Sequence, residues 1–534
     1  MGSKAKALLY KHKIFPLVLV FALAAFVYSQ YGLYADLNRT NGIDLYSGQK
    51  MAEGIPHYVS IFDVITPLGP MLAGLGVIIS KQLGWSDIYT ARLLFFVMGC
   101  FAVASVYLLG NSLFRSQRVG VFAALTFLGF YSYAAEIARG PYHKVPMVLF
   151  MVLSLLLTSQ RRWLLAGLCG SLSFLLWQPT VIFPLVTLFL ATMQPQERRP
   201  AAIIRTLTGI GLPLVAVSAY FYYHGAFSKL LDGSILFHIL YGERVYGNPG
   251  QVGYDSSSFL SRLSVPVNAA FEGYPTMVPA ILIGLVMVVD TVFSRWECHR
   301  SFRDVLAKDA FAPILLSLPA LILWSLIDFQ NRKDFFVFLP FAAIGFGAFL
   351  DLAVHRIGRL EGAALPVGAQ RFLTIGLCIS LVALAVANES LGTKKSTMDG
   401  LREKFDRQRQ AATEIENRFG SDAKWVSISA PELLALQHRT NPTPYAFISF
   451  GIDSYIDANT PGGFEGWIKE LEAYNPDVIA FGDRPQGMHT EELMNWLRSS
   501  CREEQIDSWT VCISNYRAER IGPWTLYVRT SSDE

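Results

Sequence analysis

The chain has 534 residues, of which 52% are hydrophobic and 16% charged, with a formal net charge of +3. Soluble domains average about 25% charged residues, so this composition excludes a wholly soluble protein, and the slight positive charge carries no nucleic-acid signal. The deficit of charge sits in residues 1–390, whereas 391–534 has the composition of a soluble domain.

Apolar runs of about 20 residues are each long enough to cross a hydrocarbon core of about 30 Å. In chain order they fall at 14–34, 88–113, 119–135, 143–158, 164–177 with 180–192, 206–223, 274–293, 310–328, 335–353 and 371–388. The first run lacks a small-residue cleavage site and reads as an uncleaved span. The stretch 164–192 is too long for one span, and Trp177-Gln178-Pro179 predicts two shortened helices meeting at a turn. Segment 66–83 holds Pro67, Pro70 and several glycines, and fits an interfacial or re-entrant helix better than a span.

Basic residues mark alternate loops as cytoplasmic. With Lys4, Lys6, Lys11 and Lys13 inside, the pattern continues through Arg115 and Arg118, Arg161 and Arg162, and Arg198, Arg199 and Arg205. It ends with Arg295, Arg300, Arg303 and Lys308, then His355, Arg356, Arg359 and Arg371. Counting 66–83 as a full span would invert every later loop. The expectation is an α-helical polytopic membrane protein of about eleven transmembrane helices, residues 1–390, with a cytoplasmic N-terminus. The first loop, 35–86, and the segments 134–142, 224–272 and 329–334 then lie outside, as does the tail 391–534. Cys100, Cys169 and Cys378 fall in spans and Cys298 faces inward, while Cys501 and Cys512 share the outside tail and suit a disulfide. No cysteine and histidine cluster has zinc spacing, and a divalent metal is not indicated.

The tail begins with a charged helix-like stretch, Met398–Phe419, and continues with short β-rich runs alternating with amphipathic helices. It reads as a small extracytoplasmic α/β domain. It contains no nucleophile elbow, glycine-rich phosphate loop or metal constellation, so a structural or docking cap is its plain reading.

The first outside loop is richer. Asp36 lies just past the first span, beside Asn38 and Arg39 and among aromatic residues, where partial desolvation makes a carboxylate a competent general base. Asp44 fits a catalyst or a helix N-cap equally well, and Asp63 either caps the next helix or orients a substrate hydroxyl. A structural or solvated role is the plain alternative for each acid.

Further along, "YAAEIARGPYHKVP" clusters Glu136, Arg139, His143 and Lys144 where the chain re-enters the membrane. Ionisable groups at that depth are functional candidates, with interfacial snorkelling as the alternative. Arg332 and Lys333 share a short outside loop against the positive-inside bias and suit an anionic headgroup such as phosphate. The segment 224–272, with "YGERVYGNPGQVGYDSS" and Arg244, resembles a mobile loop that covers a substrate, or an inert one.

One combination is specific enough to carry a family resemblance. A first span, an aspartate just outside it, "LYSGQKMAEGIPHYVSIFDVITPLGP", "LWQPT" at Leu176–Thr180 and "RKDFFVFLPFAAIGFGAFL" are similar to the GT-C membrane glycosyltransferases. Within them the chain resembles the bacterial branch of protein O-mannosyltransferase-like and lipid A aminoarabinose transferase-like enzymes. The resemblance spans roughly residues 14–390. It implies inverting sugar transfer from a polyprenyl-phosphate sugar to a glycan, lipid or protein acceptor on the outer face of a bacterial inner membrane. By that analogy Asp36 or Asp44 is the base, and Arg332 and Lys333, with Arg139 or Lys144, hold the donor phosphate. Asp63, His57, Tyr58, His143 and Arg244 are the candidates for other substrate contacts.

The sequence departs from that family in two places. Asp36 is followed by Leu37 where many relatives carry an acidic pair, and His143 and Lys144 stand where relatives often carry an acid. The sequon Asn38-Arg39-Thr40 lies beside the candidate base, and a glycan there would obstruct it, which favours a prokaryotic host. A lipid or glycan transporter is the alternative from another class. It would show internal repeats and charges deep in its helices, whereas here the charges gather at span ends.

Overall fold

The computed structural model describes residues 3–30, 32–246, 259–297, 301–329, 332–357, 366–392, 398–449, 451–482, 487–498 and 516–529. The chain opens with α1 (Ser3–Ser29), α2 (Arg39–Met51), α3 (Leu68–Leu83) and α4 (Asp87–Phe114). α5 (Gln117–Leu128), α6 (Tyr131–Arg139) and α7 (Lys144–Ser159) follow. α8 (Trp163–Phe174) and α9 (Ile182–Thr192) meet through a 3-10 turn at Gln178–Val181, the break expected at Trp177-Gln178-Pro179. Next come α10 (Arg199–Tyr223), α11 (Phe227–Leu231), a π-helical turn at Asp232–Leu236, α12 (Phe237–Tyr246) and α13 (Phe259–Gly273). α14 (Val278–Glu297), α15 (Phe302–Lys308) and α16 (Ala312–Ser325) lead to a 3-10 turn at Arg332–Val337, then α17 (Leu339–Ile357) and α18 (Val367–Gly392).

Among the described residues, five helices are long and apolar enough to cross a membrane, or up to seven if each of two bent pairs is one span. The expected count of about eleven also draws on Phe15–Ser29, Lys144–Ser159, Trp163–Phe174 and Gln178–Thr192, which are apolar but shorter. Two expectations need correction. The run 119–135 is not one straight helix, because α5 and α6 bend by 66° at Gly129-Phe130, where the Gly129 carbonyl accepts the Tyr131 N–H at 3.0 Å and Asn388 Nδ2 at 3.1 Å. The segment 224–272 is not an open loop but is largely helical, in α11, α12 and α13, with 247–258 outside the described residues.

The chain forms two compact units. The first comprises Met1–Leu33, Arg92–Val217 and Asp255–Met398. Its centre is the packing of α17 against α5 and α14. Gly284 and Gly345 let α14 and α17 approach until a Cβ on Gly345 would run into the Gly284 carbonyl, and one on Gly284 into that of Ala342. Small residues of this kind replace the hydrophobic drive that apolar surroundings cannot supply.

The second unit comprises Tyr34–Ala91, Ser218–Tyr254 and Asp399–Glu534. Its later part holds α19 (Met398–Phe419), β1 (Trp425–Ile428), α20 (Pro431–Gln437), α21 (Ile452–Asn459), α22 (Gly463–Tyr474), β2 (Val478–Phe481), α23 (Thr490–Arg498), β3 (Tyr516–Ile521) and β4 (Trp524–Arg529). The four strands form one sheet in the order β1-β2-β4-β3, with β1 and β2 parallel and the other pairs antiparallel. "YAFISF", expected as a β-rich run, forms no strand of this sheet among the described residues, and contributes an isolated bridge at Ser449 and a backbone bond from Ser429 N–H to Ala446 C=O at 2.8 Å. First-loop residues share the core of this sheet. Phe62 stacks on Tyr455 at 4.2 Å between ring centroids, and its N–H donates to the Pro444 carbonyl at 2.7 Å. α2 packs on α3 and α20, and Gly48 permits it, since a Cβ there would lie 2.6 Å from Gly74 N. Cys298, Cys501 and Cys512 lie outside the described residues.

The crossing of α14 and α17 is testable. Gly345→Val must force these helices apart, at about 1–3 kcal/mol for overpacking, and should lower the melting temperature of the detergent-purified protein by several degrees. Gly376→Ala, whose new Cβ meets open space, should leave it unchanged or slightly raised.

Candidate functional site

The second unit carries the three first-loop aspartates in different environments. α2 is capped by Asn38, whose Oδ1 accepts the Asn41 N–H at 3.0 Å. Asp44 is therefore not the N-cap; it lies inside the helix and is 2% exposed. Asp63 does not cap α3 either, because the N-cap is Pro67 and no side chain bonds there. Instead the Asp63 carboxyl folds back on its own chain, with Oδ1 accepting the Val64 N–H at 2.7 Å. Burial and the neighbouring Asp44 carboxylate push its pKa up to about 7, against the opposing effect of the Val64 and Ile65 amides. Asp36 differs from both. It is half-buried in the segment before Asn38, and its side chain makes no hydrogen bond or ion pair among the described residues.

His57 and Tyr58 complete the buried part of this loop. His57 shares a 2.7 Å hydrogen bond between Nδ1 and Ser47 Oγ, and burial pushes its pKa down to about 3, so the ring is neutral. Tyr58 adopts a φ of 66°, donates its hydroxyl to the Ile65 carbonyl at 2.6 Å and its N–H to that of Ile61 at 3.0 Å. These bonds close residues 58–65 into a tight loop with Asp63 inside it. Arg244 falls on α12, and its side chain lies outside the described residues.

The first unit carries the cations. Lys144, at the start of α7, forms a buried ion pair with Asp334, and its ammonium stands 4.2 Å from the centroid of the Trp177 ring. Lys333 lies 3.0 Å from Glu136 Oε1 and 4.7 Å from the Tyr142 ring centroid. Arg139 approaches the same carboxylate oxygen at 3.7 Å. Glu136 is 2% exposed and its Oε2 has no hydrogen-bond partner among the described residues. Arg332 is exposed at the head of the 3-10 turn. His143 is buried against Tyr142, with ring centroids 4.8 Å apart. The sequence cluster at 136–144 and the turn that begins at Arg332 are thus brought together, with three cations, Arg139, Lys144 and Lys333, paired to the carboxylates of Glu136 and Asp334.

Two contributors escaped the reading of the sequence. Asp334 gave no signal beyond following two cations, yet it neutralises Lys144. Lys50, almost wholly buried within α2, pairs with Glu53 at 2.9 Å, and only its i,i+3 spacing hinted at this. Among the described residues, no group of three or more His, Cys, Asp or Glu could hold a metal ion.

The raised pKa of Asp63 has a thermodynamic consequence. A carboxyl that holds its proton to about pH 7 when folded, but only to about 3.8 when unfolded, stabilises the fold at low pH. That contribution should be fully present below about pH 4 and lost as pH rises towards 7, with a total on the order of 4 kcal/mol. Asp63→Asn should therefore melt close to wild type at about pH 4 and above it at pH 8. A variant less stable than wild type by the same margin at both values would contradict this assignment.

No family model and no curated protein matches the chain. Solved structures do. The crystal structure of ArnT from Cupriavidus metallidurans bound to undecaprenyl phosphate superposes with a TM-score of 0.55 at 12% identity, covering 98% of this chain and 99% of that one. The apo state of the same protein gives 0.56 at 12% identity, with 96% and 97% covered. The Archaeoglobus fulgidus oligosaccharyltransferase, in a complex with Zn and sulfate, gives 0.50 at 13% identity, with 87% of this chain and 68% of that one covered. Over nearly its whole length, the chain shares the fold of these solved structures.

Proposed function

We propose that the protein is an inverting glycosyltransferase that moves a sugar from a polyprenyl-phosphate donor to an extracytoplasmic glycan, lipid or protein. The observation that carries this reading is the contrast among the first-loop acids. Asp44 and Asp63 are buried, whereas Asp36 is half-buried with no partner among the described residues. A general base must reach the acceptor hydroxyl, and Asp36 is the carboxylate free to do so. The full-length likeness to a protein crystallised with undecaprenyl phosphate supports a lipid-phosphate donor.

In this mechanism Asp36 takes the proton of the acceptor hydroxyl as its oxygen attacks the anomeric carbon of the sugar. The bond from that carbon to the donor phosphate breaks on the opposite face. The lipid phosphate leaves as an anion and needs no proton at neutral pH. Lys333, Arg139 and Arg332 are assigned to meet its developing charge, since Lys333 and Arg139 share the one carboxylate of Glu136, whereas Lys144 is buried in its pair with Asp334. Glu136 holds Lys333 and Arg139 in place. Asp63, His57 and Tyr58 are assigned to the scaffold of the loop, since all three are buried. Arg244 remains a candidate for substrate contact, whereas His143 is buried like these three and is assigned to packing against Tyr142. We place the N-terminus in the cytoplasm, and residues 35–86 and 391–534 outside a bacterial inner membrane.

The test is sugar transfer by membranes of expressing cells, supplied with undecaprenyl phosphate-linked glucose, mannose or arabinose at matched protein levels. Asp36→Asn should abolish transfer, by about 10²-fold or more, and Asp44→Asn should reduce it only in proportion to lost folded protein. Lys333→Ala should raise the donor KM and lower kcat together, as expected for a group that holds the phosphate in both ground and transition states. Full activity of Asp36→Asn would remove the base from this account.

A further inference from the structure

The segment that carries Asp36 is held by one side chain from a point 371 positions later in the sequence. Gln408, on α19, accepts the Leu37 N–H on Oε1 at 2.9 Å and donates from Nε2 to the Leu37 carbonyl at 2.9 Å. Both partners are buried, Gln408 at 6% and Leu37 at 2% exposure. Such a two-point contact imitates a strand pairing made by a side chain. Only an amide offers a donor and an acceptor side by side, which restricts the position to Gln or, with shorter reach, Asn. The Leu37 N–H belongs to the peptide that follows the Asp36 Cα, and the Leu37 carbonyl to the peptide that precedes the capping residue Asn38. Fixing both planes fixes the backbone on which the Asp36 carboxylate is mounted.

We propose that Gln408 is a positioning residue for the reaction, holding Asp36 at the angle from which it reaches the acceptor hydroxyl. The inference rests on the reading of Asp36 as the base. It assigns α19, at the head of the soluble tail, a part in catalysis without any contact to substrate. α19 also reaches the start of this segment, with Arg402 standing 5.3 Å from the Tyr34 ring centroid and Phe405 edge-on to Tyr89 of α4, which is itself edge-on to Tyr34. A plain stabilising role would make Gln408 equivalent to Gln437, another buried glutamine, which donates to the Ala412 carbonyl of α19 at 2.7 Å and makes no hydrogen bond to the Asp36 segment among the described residues.

The experiment compares Gln408→Met, Gln437→Met and Asp36→Asn in the full-length protein, with the undecaprenyl phosphate-linked sugars as probes. Gln408→Met keeps the length of the side chain and removes both bonds. It should lower kcat by about 10- to 100-fold, the scale of a misplacement near 1 Å, with the donor KM within about twofold of wild type. Gln437→Met should lose thermal stability and keep its kcat. Should Gln408→Met fail to accumulate, Gln408→Glu keeps the acceptor arm, loses the donor arm, and should show the same loss in kcat. Hydrogen exchange on wild type adds a reading that needs no variant: the Leu37 amide should be strongly protected, and exchange there at the rate of an open loop would overturn the clamp. Wild-type kcat in the Gln408 variants, with Asp36→Asn inactive, would overturn the positioning role alone. Full activity in Asp36→Asn would overturn the base and the positioning role with it.

Discussion

Lys144 and Asp334 form an ion pair in which both side chains are almost wholly removed from water. Neither charge would survive there alone, since an unpaired ion in an apolar interior is worth several kcal/mol of destabilisation. The pair joins the start of α7 to the 3-10 turn before α17, and the Trp177 ring lies against the ammonium. Once that turn is fixed, Lys333 falls within reach of Glu136 and brings Arg139 to the same carboxylate.

The same constraint is met differently in the second unit. Asp44 and Asp63 lie buried, and burial, aided by the nearby Asp44 carboxylate, makes Asp63 hold its proton to about pH 7. A protonated carboxyl in a loop closed by Tyr58 and Ile65 acts as a structural element rather than an ion. Asp36 is left half-buried beside a backbone clamped by Gln408. The partition is between acids that hold the loop and one acid that stays available.

Hydropathy and punctuation made much of the fold legible. The apolar runs fall on helices, the Trp177-Gln178-Pro179 break is a real turn, and 66–83 is a 16-residue helix packed on α2. Strand and helix alternation in the tail gave its α/β character. The bend at Gly129-Phe130 was hidden because one of the bonds made there comes from Asn388, more than 250 residues away. For a similar reason the first loop reads as a separate element, although Phe62, Tyr46 and Leu37 bond to Pro444, Asn441 and Gln408 of the tail. The role of each acid was the least legible feature. Local sequence offers Asp44 and Asp63 as caps, and only the positions of Asn38 and Pro67 in the folded chain remove that option.

The central claim is covalent sugar transfer with Asp36 as the base and a lipid monophosphate as the leaving group. Its most direct test is to incubate the purified protein with an undecaprenyl phosphate-linked sugar and membrane acceptor, then identify the lipid product by mass spectrometry. The account predicts undecaprenyl monophosphate released in step with glycosylated acceptor, and none from Asp36→Asn. Donor recovered intact after binding or movement across the membrane, or turnover undiminished in Asp36→Asn, would contradict it.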